Sequence, residues 1–419
     1  MLKTLINAWK VPELRKKIIF TLCMFVVLRL GAVITVPGIN QDVLQSLFNN
    51  GSNNIFGLMD IIAGGAFKTM ALFAFGVGPY ITASIVVQLL QMAITKLEEL
   101  SKEGETGRKK INKYTRYVAL GLAILQAAAT TLTLFNNNAL RDKSVWTFLL
   151  VMLSLVAGTM LVMWIGEQIT QRGVGNGTSL IIFINIVSRL PQQFQSLFIT
   201  KNYAMIPVVL IIGIVLVAFV VLMSQGERRI AVQYAKRTTG RKVYTGGQSQ
   251  HIPIKVNLAG VMPVIFAMSI LQFPQIVTGF FTSTPAGVWG TIIKNLNWTT
   301  PIGGTLYIVL IFAFTFFYST VAFNPLEIAS NMKKNGGFVP GIRPGKPTSD
   351  YLSNIATYIT LLGAICLAVL AIVPILLTTL LNIPLAFSGT SLLILVGVAL
   401  ETIKQLESQM LMRHYRGFL

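Results

Sequence analysis

Acidic residues are scarce in this sequence. Only 14 of the 419 residues are Asp or Glu, whereas 34 are Lys or Arg, so the formal net charge is +20. No Asp or Glu lies inside any of the long apolar segments that could cross a membrane; Glu167 and Glu401 lie at the ends of two of them. Ion-coupled transporters usually place such a carboxylate, or an equivalent polar cage, within the membrane. Its absence counts against that class of protein.

Cysteine, histidine and catalytic motifs are also scarce or absent. Cys23 and Cys366 lie in separate apolar segments, and the two histidines are far apart, so the sequence has neither a metal-ligand spacing nor a disulfide pattern. It contains no HExxH, no GxSxG and no Ser/His/Asp set. Gly341–Thr348 (GIRPGKPT) is one residue too short for a phosphate-binding loop. We therefore expect no catalytic residue, no metal site and no cofactor.

Apolar residues are abundant instead. They make up 53% of the chain, and the mean hydropathy is +0.68. A soluble domain of this size does not need that much apolar surface, so the composition predicts an all-α polytopic membrane protein. Ten mainly apolar segments have about the length that a bilayer requires. The predicted spans are 18–36, 72–94, 116–135, 145–166, 178–198, 204–224, 256–281, 303–323, 354–381 and 385–403.

The basic residues orient these spans. If the N-terminus is cytoplasmic, 27 of the 34 Lys and Arg residues lie on the cytoplasmic side, six lie on the other side, and Arg29 lies within the first span. Positive charge accumulates on the cytoplasmic side of membrane proteins. The sequence therefore predicts that both termini are cytoplasmic. For Arg29 we expect either snorkelling to the membrane surface or a carbonyl acceptor on a neighbouring helix.

The two halves of the chain show weak internal similarity. Gly177–Leu180 (GTSL) opens the fifth span and Gly389–Leu392 (GTSL) opens the tenth, while Pro79–Ala83 (PYITA) in the second span matches Pro263–Ala267 (PVIFA) in the seventh. Because each half has five spans, the second half must enter the membrane from the opposite side. This pattern predicts an inverted repeat, with halves 1–198 and 199–419.

The repeat aligns four isoleucines in two pairs. Ile81 corresponds to Ile265, and Ile182 corresponds to Ile394. If a pathway follows the pseudo-symmetry axis, these side chains are candidates for a hydrophobic constriction that excludes water and ions. The alternative is that they are ordinary packing residues.

The segment from Ile55 to Met92 is apolar but broken in two. Its first part, 55–67, is too short to cross a bilayer and contains Gly57, Asp60, Gly64 and Gly65. Irregular backbone at membrane depth is tolerated only where protein buries it or where it lines a water-filled cavity. We interpret this segment as a short mobile stopper in a pathway; the alternative is a surface loop followed by a kinked helix.

Two cytoplasmic loops, 225–255 and 325–350, are long and basic. In the first, two short strands joined by a turn at Thr238–Arg241 fit the residue pattern. The second contains a Gly- and Pro-rich stretch, 331–350, which predicts a shaped loop without a long helix. Their length favours a docking surface for a large cytoplasmic partner over a role in topology alone.

Several segments along the whole chain resemble the SecY/Sec61-alpha family. They are Pro37–Ile39, the region around Gly64–Gly65, Gly78–Ile81, Gly173–Ser179, Glu227–Arg237 (ERRIAVQYAKR), Phe338–Gly345 (FVPGIRPG) and Gly389–Ile394. The resemblance implies ten transmembrane helices in two inverted five-helix halves around a central hourglass pore. It also implies a channel that translocates unfolded secretory polypeptides across the bacterial plasma membrane, releases membrane segments laterally and is opened by a signal sequence. The other function that the sequence leaves open is an inverted-repeat secondary transporter of a small solute.

The resemblance also implies roles for individual residues. The pore ring would consist of Val77, Ile81, Thr178, Ile182, Ile265 and Ile394. Val77 and Thr178 are departures, because the family commonly has isoleucine at all six positions. The plug would be 55–67, including Ile55, Gly57, Asp60, Gly64 and Gly65, and a lateral gate would include Gln88 and Asn257.

The resemblance further implies a set of partners. The cytoplasmic loops would meet the SecA ATPase or the ribosome through Arg228, Arg229, Lys236, Arg237 and Arg343. Other implied partners are the SecE and SecG subunits, signal sequences, nascent or secretory polypeptides and membrane lipids.

Overall fold

Most of the chain is α-helical. Residues 6, 8–44, 64–142, 144–199, 205–234, 238–239, 242–243, 250–281, 288–296, 300–381 and 389–416 are described by a computed structural model. The helices are α1 (Pro12–Val33), α2 (Gly78–Ala93), α3 (Thr95–Lys102), α4 (Glu105–Asn136), α5 (Val145–Arg172), α6 (Gly177–Ile199), α7 (Met205–Gln225), α8 (Met262–Phe281), α9 (Val288–Asn295), α10 (Pro301–Ala322), α11 (Pro325–Lys334), α12 (Lys346–Leu381) and α13 (Gly389–Arg416). The strands are β1 (Glu227–Tyr234), β2 (Thr238–Thr239), β3 (Lys242–Val243), β4 (Gln250–Lys255) and β5 (Gly337–Phe338).

Each of the ten predicted spans overlaps one helix. Within the described residues, five helical segments are long and apolar enough to cross a membrane unaided: α4, α5, α7 from Pro207, α10 with α11, and α12 to Val373. The count rises to six if α2 and α3, which meet at a bend of 107°, form one broken span. The chain is therefore a helical, multi-pass membrane protein, and the count of ten spans stays a prediction.

Proline and polar caps set several helix starts. Proline occupies one of the first two positions of α1, α2, α10 and α11, where its fixed φ suits the helix and its missing N–H is not needed. The Thr300 hydroxyl accepts a hydrogen bond from the N–H of Gly303 (3.2 Å) at the start of α10. Asn324 accepts one from Glu327 (3.4 Å) at the start of α11. These caps satisfy backbone donors that have no partner within the helix.

The start of the second predicted span is wrong. We expected it to begin at Leu72, but helix α2 begins at Gly78, and residues 66–77 form a series of turns. Met70 (φ +44°) and Gly76 (φ +53°) adopt left-handed conformations that a helix cannot contain. Hydropathy alone predicted a span here, because these turns are as apolar as a helix.

The chain divides into two compact units. The first comprises Met1–Asn202, Ser269–Lys294 and Val398–Leu419, and the second comprises Tyr203–Met268 and Asn295–Gly397. In the first unit, α4 packs against α2 and α5, and α5 packs against α1 and α6. In the second unit, α12 packs against α10, α11, α7 and β4. The division into halves at residue 198 stays a prediction.

The two long basic loops of the second unit, 225–255 and 325–350, contain a small β-sheet within their described residues. Strand β1 pairs antiparallel with β4 along most of its length, and its last two residues pair with β5 from the other loop, which gives the order β4-β1-β5. Strand β2 pairs antiparallel with β3, with Thr238 opposite Val243. The sequence predicted two short strands joined by a turn at Thr238–Arg241, but Thr238 and Thr239 form strand β2 instead. The pairing of β1 with β4 and β5 was not predicted.

Helix α12 is much longer than a bilayer requires. Its 36 residues extend about 54 Å at the usual helical rise, whereas the hydrocarbon core is about 30 Å thick. Its first residues carry the charged and polar stretch KPTSD before the apolar part begins. The helix therefore continues from the second basic loop into the predicted membrane span.

Candidate functional site

Four of the predicted pore-ring residues lie in the first unit, as two pairs one helical turn apart. Val77 immediately precedes α2 and is buried, and its carbonyl accepts a hydrogen bond from the N–H of Ile81 (3.0 Å), which is half-buried. Thr178 is half-buried in the first turn of α6, and Ile182, one turn later, is buried. The N–H of Thr178 donates to the side-chain oxygen of Asn176 (3.1 Å). Both pairs therefore stand at the beginning of a helix that follows a glycine-containing turn.

The other two ring residues lie in the second unit. Ile265 is half-buried in the first turn of α8, and its N–H donates to the carbonyl of Val261 (3.3 Å). Ile394 is half-buried in the second turn of α13. Like their partners in the internal repeat, both isoleucines are near the start of an apolar helix. Their assembly with the first four residues into one ring stays a prediction.

The predicted plug is described only at its C-terminal end. Ile55, Gly57 and Asp60 lie outside the described residues. Gly64 (φ +68°) and Gly65 (φ +92°) form a turn with left-handed backbone, a conformation that glycine adopts readily and other residues rarely. The residues that follow them are buried in the core of the first unit, including Ala66, Phe67 and Met70. The last two residues of the predicted plug, Ala66 and Phe67, therefore belong to the core of the unit.

Arg29 lies beside this glycine pair. Its Nη2 atom donates to the side-chain oxygen of Asn185 (2.6 Å) and to the main-chain carbonyl of Ile184 (3.2 Å), both on α6. Of the two alternatives predicted for Arg29, a hydrogen bond to a main-chain carbonyl on a neighbouring helix is confirmed. Sequence reasoning missed Asn185. The available signal was an amide in the middle of the apolar run that opens the fifth span, in a chain whose first span contains a lone cation.

The predicted gate residues are both inside the described structure. Gln88 is half-buried on α2 in the first unit, and Asn257 follows β4 in the second unit. The side-chain oxygen of Asn257 is buried, and among the described residues it has no hydrogen-bond partner. A buried acceptor without a partner costs about 1–3 kcal/mol. Burial of this Asn257 oxygen is therefore energetically unfavourable. The role of Asn257 in a gate stays a prediction.

The two long basic loops form one structure within their described residues. The side chains of Ile230 and Val232 from β1 and Ile254 from β4 pack with Val339 from the second loop. The same core includes Leu352 and other residues of α12. We call β1, β4, β5 and residues 339–345 the β-platform. The platform is held by strand pairing between the loops and by apolar packing onto α12.

The predicted docking cations lie on the surface of this platform. Arg228, Arg229 and Arg343 are exposed, and Arg229 Nε contacts Glu227 Oε1 at 2.8 Å. Lys236 and Arg237 lie outside the described residues. The carbonyl of Arg343 accepts a hydrogen bond from the Thr348 hydroxyl (2.8 Å), and left-handed Gly341 and Gly345 flank it. The backbone at Arg343 is therefore fixed while its guanidinium faces solvent.

Metal and cofactor sites have no support in the described part of the chain. No group of three or more His, Cys, Asp and Glu side chains there is placed to hold a metal ion. Cys23 and Cys366 are both free thiols.

Comparison with known proteins gives one consistent result. The sequence model of the SecY family matches residues 71–403. The chain is 45% identical to the protein translocase subunit SecY of Streptomyces scabiei over 442 aligned residues and 45% identical to that of Bacillus subtilis over 435. Both alignments cover 100% of each chain.

Solved structures with the same fold are more distant in sequence. One is described as the structure of a protein-conducting channel, with a TM-score of 0.64, 18% identity and 96% of each chain covered. Another is Sec61 in the canine ribosome–channel complex from the endoplasmic reticulum, with a TM-score of 0.63, 16% identity and 96% of each chain covered. At these identities the similarity shows a shared fold.

Proposed function

The chain belongs to the SecY family, and on that basis we propose that it is a protein-conducting channel of the bacterial plasma membrane. One observation carries the proposal: 45% identity along the full length of chains named protein translocase subunit SecY. The channel moves unfolded secretory polypeptides across the membrane and releases membrane segments sideways into it. It has no catalytic centre of its own, and its partners supply the energy.

The proposed conduction pathway uses the apolar ring. Val77, Ile81, Thr178, Ile182, Ile265 and Ile394 surround the constriction. Aliphatic side chains exclude water from an idle pore by dewetting, and they offer a moving polypeptide no strong hydrogen bonds. Thr178 places a hydroxyl at this level, where it weakens the dewetting on one side of the ring. The plug 55–67 blocks the pore next to the constriction when the channel is idle. Gln88 and Asn257 line the lateral gate.

The proposed partners bind the β-platform. Its exposed cations, together with Lys236 and Arg237, suit the acidic surface of a ribosome or the SecA motor. A related channel, Sec61, has been solved in a ribosome complex, and the yeast Ssh1 complex has been solved bound to the 80S ribosome. SecE and SecG complete the channel, as implied by its family. Both termini lie in the cytoplasm, which is supported by the distribution of Lys and Arg.

The secondary-transporter alternative is not favoured. Its supporting feature, the inverted repeat, fits the channel equally well. The full-length relatives are translocase subunits, and the spans carry no interior carboxylate.

The test makes the constriction polar. Ile394→Asn and Ile265→Asn remove apolar stabilisation of the closed ring, by about 1–3 kcal/mol for each buried aliphatic side chain. We expect cells whose only channel carries either variant to export a reporter with a defective signal sequence, because less binding energy is needed for opening.

The matched control is Ile270→Asn, an exposed position on the same helix as Ile265. It should leave export of the defective reporter at the background level. If neither ring variant exports more reporter than the control, the placement of these residues in the pore is wrong. A transporter would instead lose uptake of its small solute and gain no export.

A further inference from the structure

The short turn between α5 and α6 has a glycine at every second position. It consists of Gly173, Val174, Gly175 and Asn176, and Gly177 follows as the first residue of α6. Gly175 has left-handed backbone (φ +82°), which favours glycine, but Gly173 has a φ of −99°, which any residue adopts, and Gly177 is helical. Backbone conformation therefore explains only one of the three glycines. We call residues 173–176 the entry turn.

Helices from both ends of the chain press against the entry turn. A Cβ atom added to Gly173 would lie 2.6 Å from the hydroxyl oxygen of Thr21 on α1. A Cβ atom added to Gly175 would lie 3.3 Å from the hydroxyl oxygen of Thr402 on α13. Between these two glycines, Val174 is buried in a core that also contains residues of α1 and α13. The turn is therefore in close contact with both helices, all within the first unit.

Two threonine hydroxyls bind the backbone here in the same way. Each donates to the carbonyl four residues earlier in its own helix, at 2.9 Å, so its lone pairs are left to accept from the turn. Thr21 accepts from the N–H of Val174 (3.2 Å), and Thr170 on α5 accepts from the N–H of Gly177 (2.9 Å). A Cβ atom added to Gly177 would overlap the carbonyl oxygen of Gly166 on α5. One hydroxyl therefore ties the turn to α1, and the other ties the start of α6 to α5.

The first N–H groups of α6 all have acceptors. These groups have no partner within an α-helix, so they need one from outside it. Thr170 serves Gly177, and the side-chain oxygen of Asn176 accepts from the N–H groups of Thr178 (3.1 Å) and Ser179 (3.5 Å). The start of α6 is therefore anchored at each of its first three residues.

This anchored start carries two residues of the proposed pore ring. Thr178 is the second residue of α6, and Ile182 follows one turn later. The backbone of a helix is joined by hydrogen bonds from one turn to the next, so its first turns shift together. A displacement of the entry turn is therefore passed on to Thr178 and Ile182.

We propose that Thr21 and Thr170 are positioning residues, which hold the entry turn against α1 and α5 and thereby fix the position of Thr178 and Ile182. The proposal rests on the proposed function, because the ring belongs to the channel. Thr21 is buried and Thr170 is exposed, so water can replace the Thr170 hydroxyl more easily. Thr21 therefore makes the larger contribution. Neither threonine is a member of the ring.

The variants remove the acceptor and keep the size of the side chain. In Thr21→Val, a methyl group faces the buried N–H of Val174, which should displace the turn from α1. We expect the idle ion conductance to rise about tenfold, because the ring excludes water only while its side chains are in place. Thr170→Val should raise the conductance less. Thr21→Ser keeps the hydroxyl and should conduct like the unmodified channel.

Thr159→Val is the matched control. Thr159 is buried in α5, and its hydroxyl donates to the carbonyl of Leu155 in the same helix (2.9 Å). The control therefore loses the same kind of intrahelical bond at a distance from the entry turn. It should leave the conductance unchanged.

The measurements use the complete channel complex. Hydrogen exchange of the Ile181 and Ile182 amides reports how firmly the start of α6 is anchored, whatever the channel conducts. Idle conductance in planar bilayers, at equal amounts of folded complex, reports the effect on the ring, and the thermal unfolding temperature is recorded for each variant. We expect faster exchange and higher conductance in Thr21→Val than in Thr159→Val, with both restored in Thr21→Ser.

The outcomes separate the possible cases. If exchange and conductance are the same in Thr21→Val and Thr159→Val, the positioning role is wrong. If Thr21→Val only lowers the unfolding temperature and its conductance does not rise, the contact is merely structural, and the proposal is overturned. If Thr21→Val does not fold, Thr170→Val decides through the same two measurements. Failure of the unmodified complex to translocate any precursor would instead overturn the proposed function, and hydrogen exchange would still report the anchoring of α6.

Discussion

The glycine pair Gly64–Gly65 and the β-platform are both non-helical parts of a helical protein, yet they are held in different ways. The platform has strand pairing on both sides of β1 and an apolar core that includes α12. The glycine pair has left-handed backbone and lies against Arg29, which binds the Asn185 side chain and the carbonyl of Ile184. The arrangement of the platform is thus set by strand pairing and apolar packing, whereas that of the glycine pair depends on backbone conformation and polar contacts.

The largest expected effect is loss of the platform core. Ile254 is completely buried between β1 and α12, so Ile254→Ala should destabilise the platform by about 2–5 kcal/mol. Hydrogen exchange of β1 and β4 backbone amides measures this directly. Ile252→Ala, a half-buried position two residues away on β4, is the matched control and should cost clearly less. Equal protection in the two variants would show that the platform is held by strand pairing alone.

A smaller effect on structure, and a large one on function, is expected at Arg343. Its side chain is exposed while its backbone is fixed, so Arg343→Glu should leave exchange in β1 unchanged. Reversal of the charge should lower the rate of motor-driven translocation more than tenfold, because the partner then meets an acidic group. Arg141→Glu provides the same charge reversal on the opposite predicted side. A normal translocation rate in Arg343→Glu would contradict a docking role and leave membrane topology as the only role of this loop's positive charge.

The smallest effect on stability is expected from removal of the plug. Deletion of residues 54–63 stops before the buried Ala66 and leaves the core contacts of residues 66–75 intact. The thermal unfolding temperature of the complex should therefore change little, while idle ion conductance should rise. Deletion of 54–66 would additionally remove Ala66, whose carbonyl accepts from Ala71 (2.8 Å), and should destabilise the unit. Unchanged conductance in both deletions would contradict the plug assignment.

The long helices were predictable from sequence because their signal is additive. Each apolar residue adds to the summed hydropathy of its segment, so a single charged residue such as Arg29 does not change the prediction of a helix. The predicted start of the second span at Leu72 was wrong for the same reason. Residues 70–77 are mostly buried by protein and as apolar as a helix, so the sum cannot distinguish turns from helix there. The left-handed backbone at Met70 has no marker in the sequence, because methionine rarely adopts it.

Contacts between distant segments were not predictable. Strand β5 has only two residues, and its partner Tyr234 is about a hundred positions earlier in the chain. The contact between Arg29 and Asn185 likewise joins residues 156 positions apart. A pattern within one segment carries no information on such pairs. An internal repeat does compare distant segments, and it made Ile81, Ile182, Ile265 and Ile394 candidates for one ring, which stays a prediction.

The course of α12 from Lys346 to Val373 has a mechanical consequence. Leu352, Ile355 and Ile359 fasten its first turns to the β-platform, and the same helix continues to Val373, just before Pro374, whose missing N–H interrupts the hydrogen-bond ladder. A continuous hydrogen-bonded helix is stiff along its axis, unlike a loop that would absorb displacement. Under the proposed function, a partner that tilts the platform would tilt this rod, which includes most of the predicted span 354–381. Binding at the platform and displacement of that span would then be a single rigid-body movement, with the helix as the lever arm.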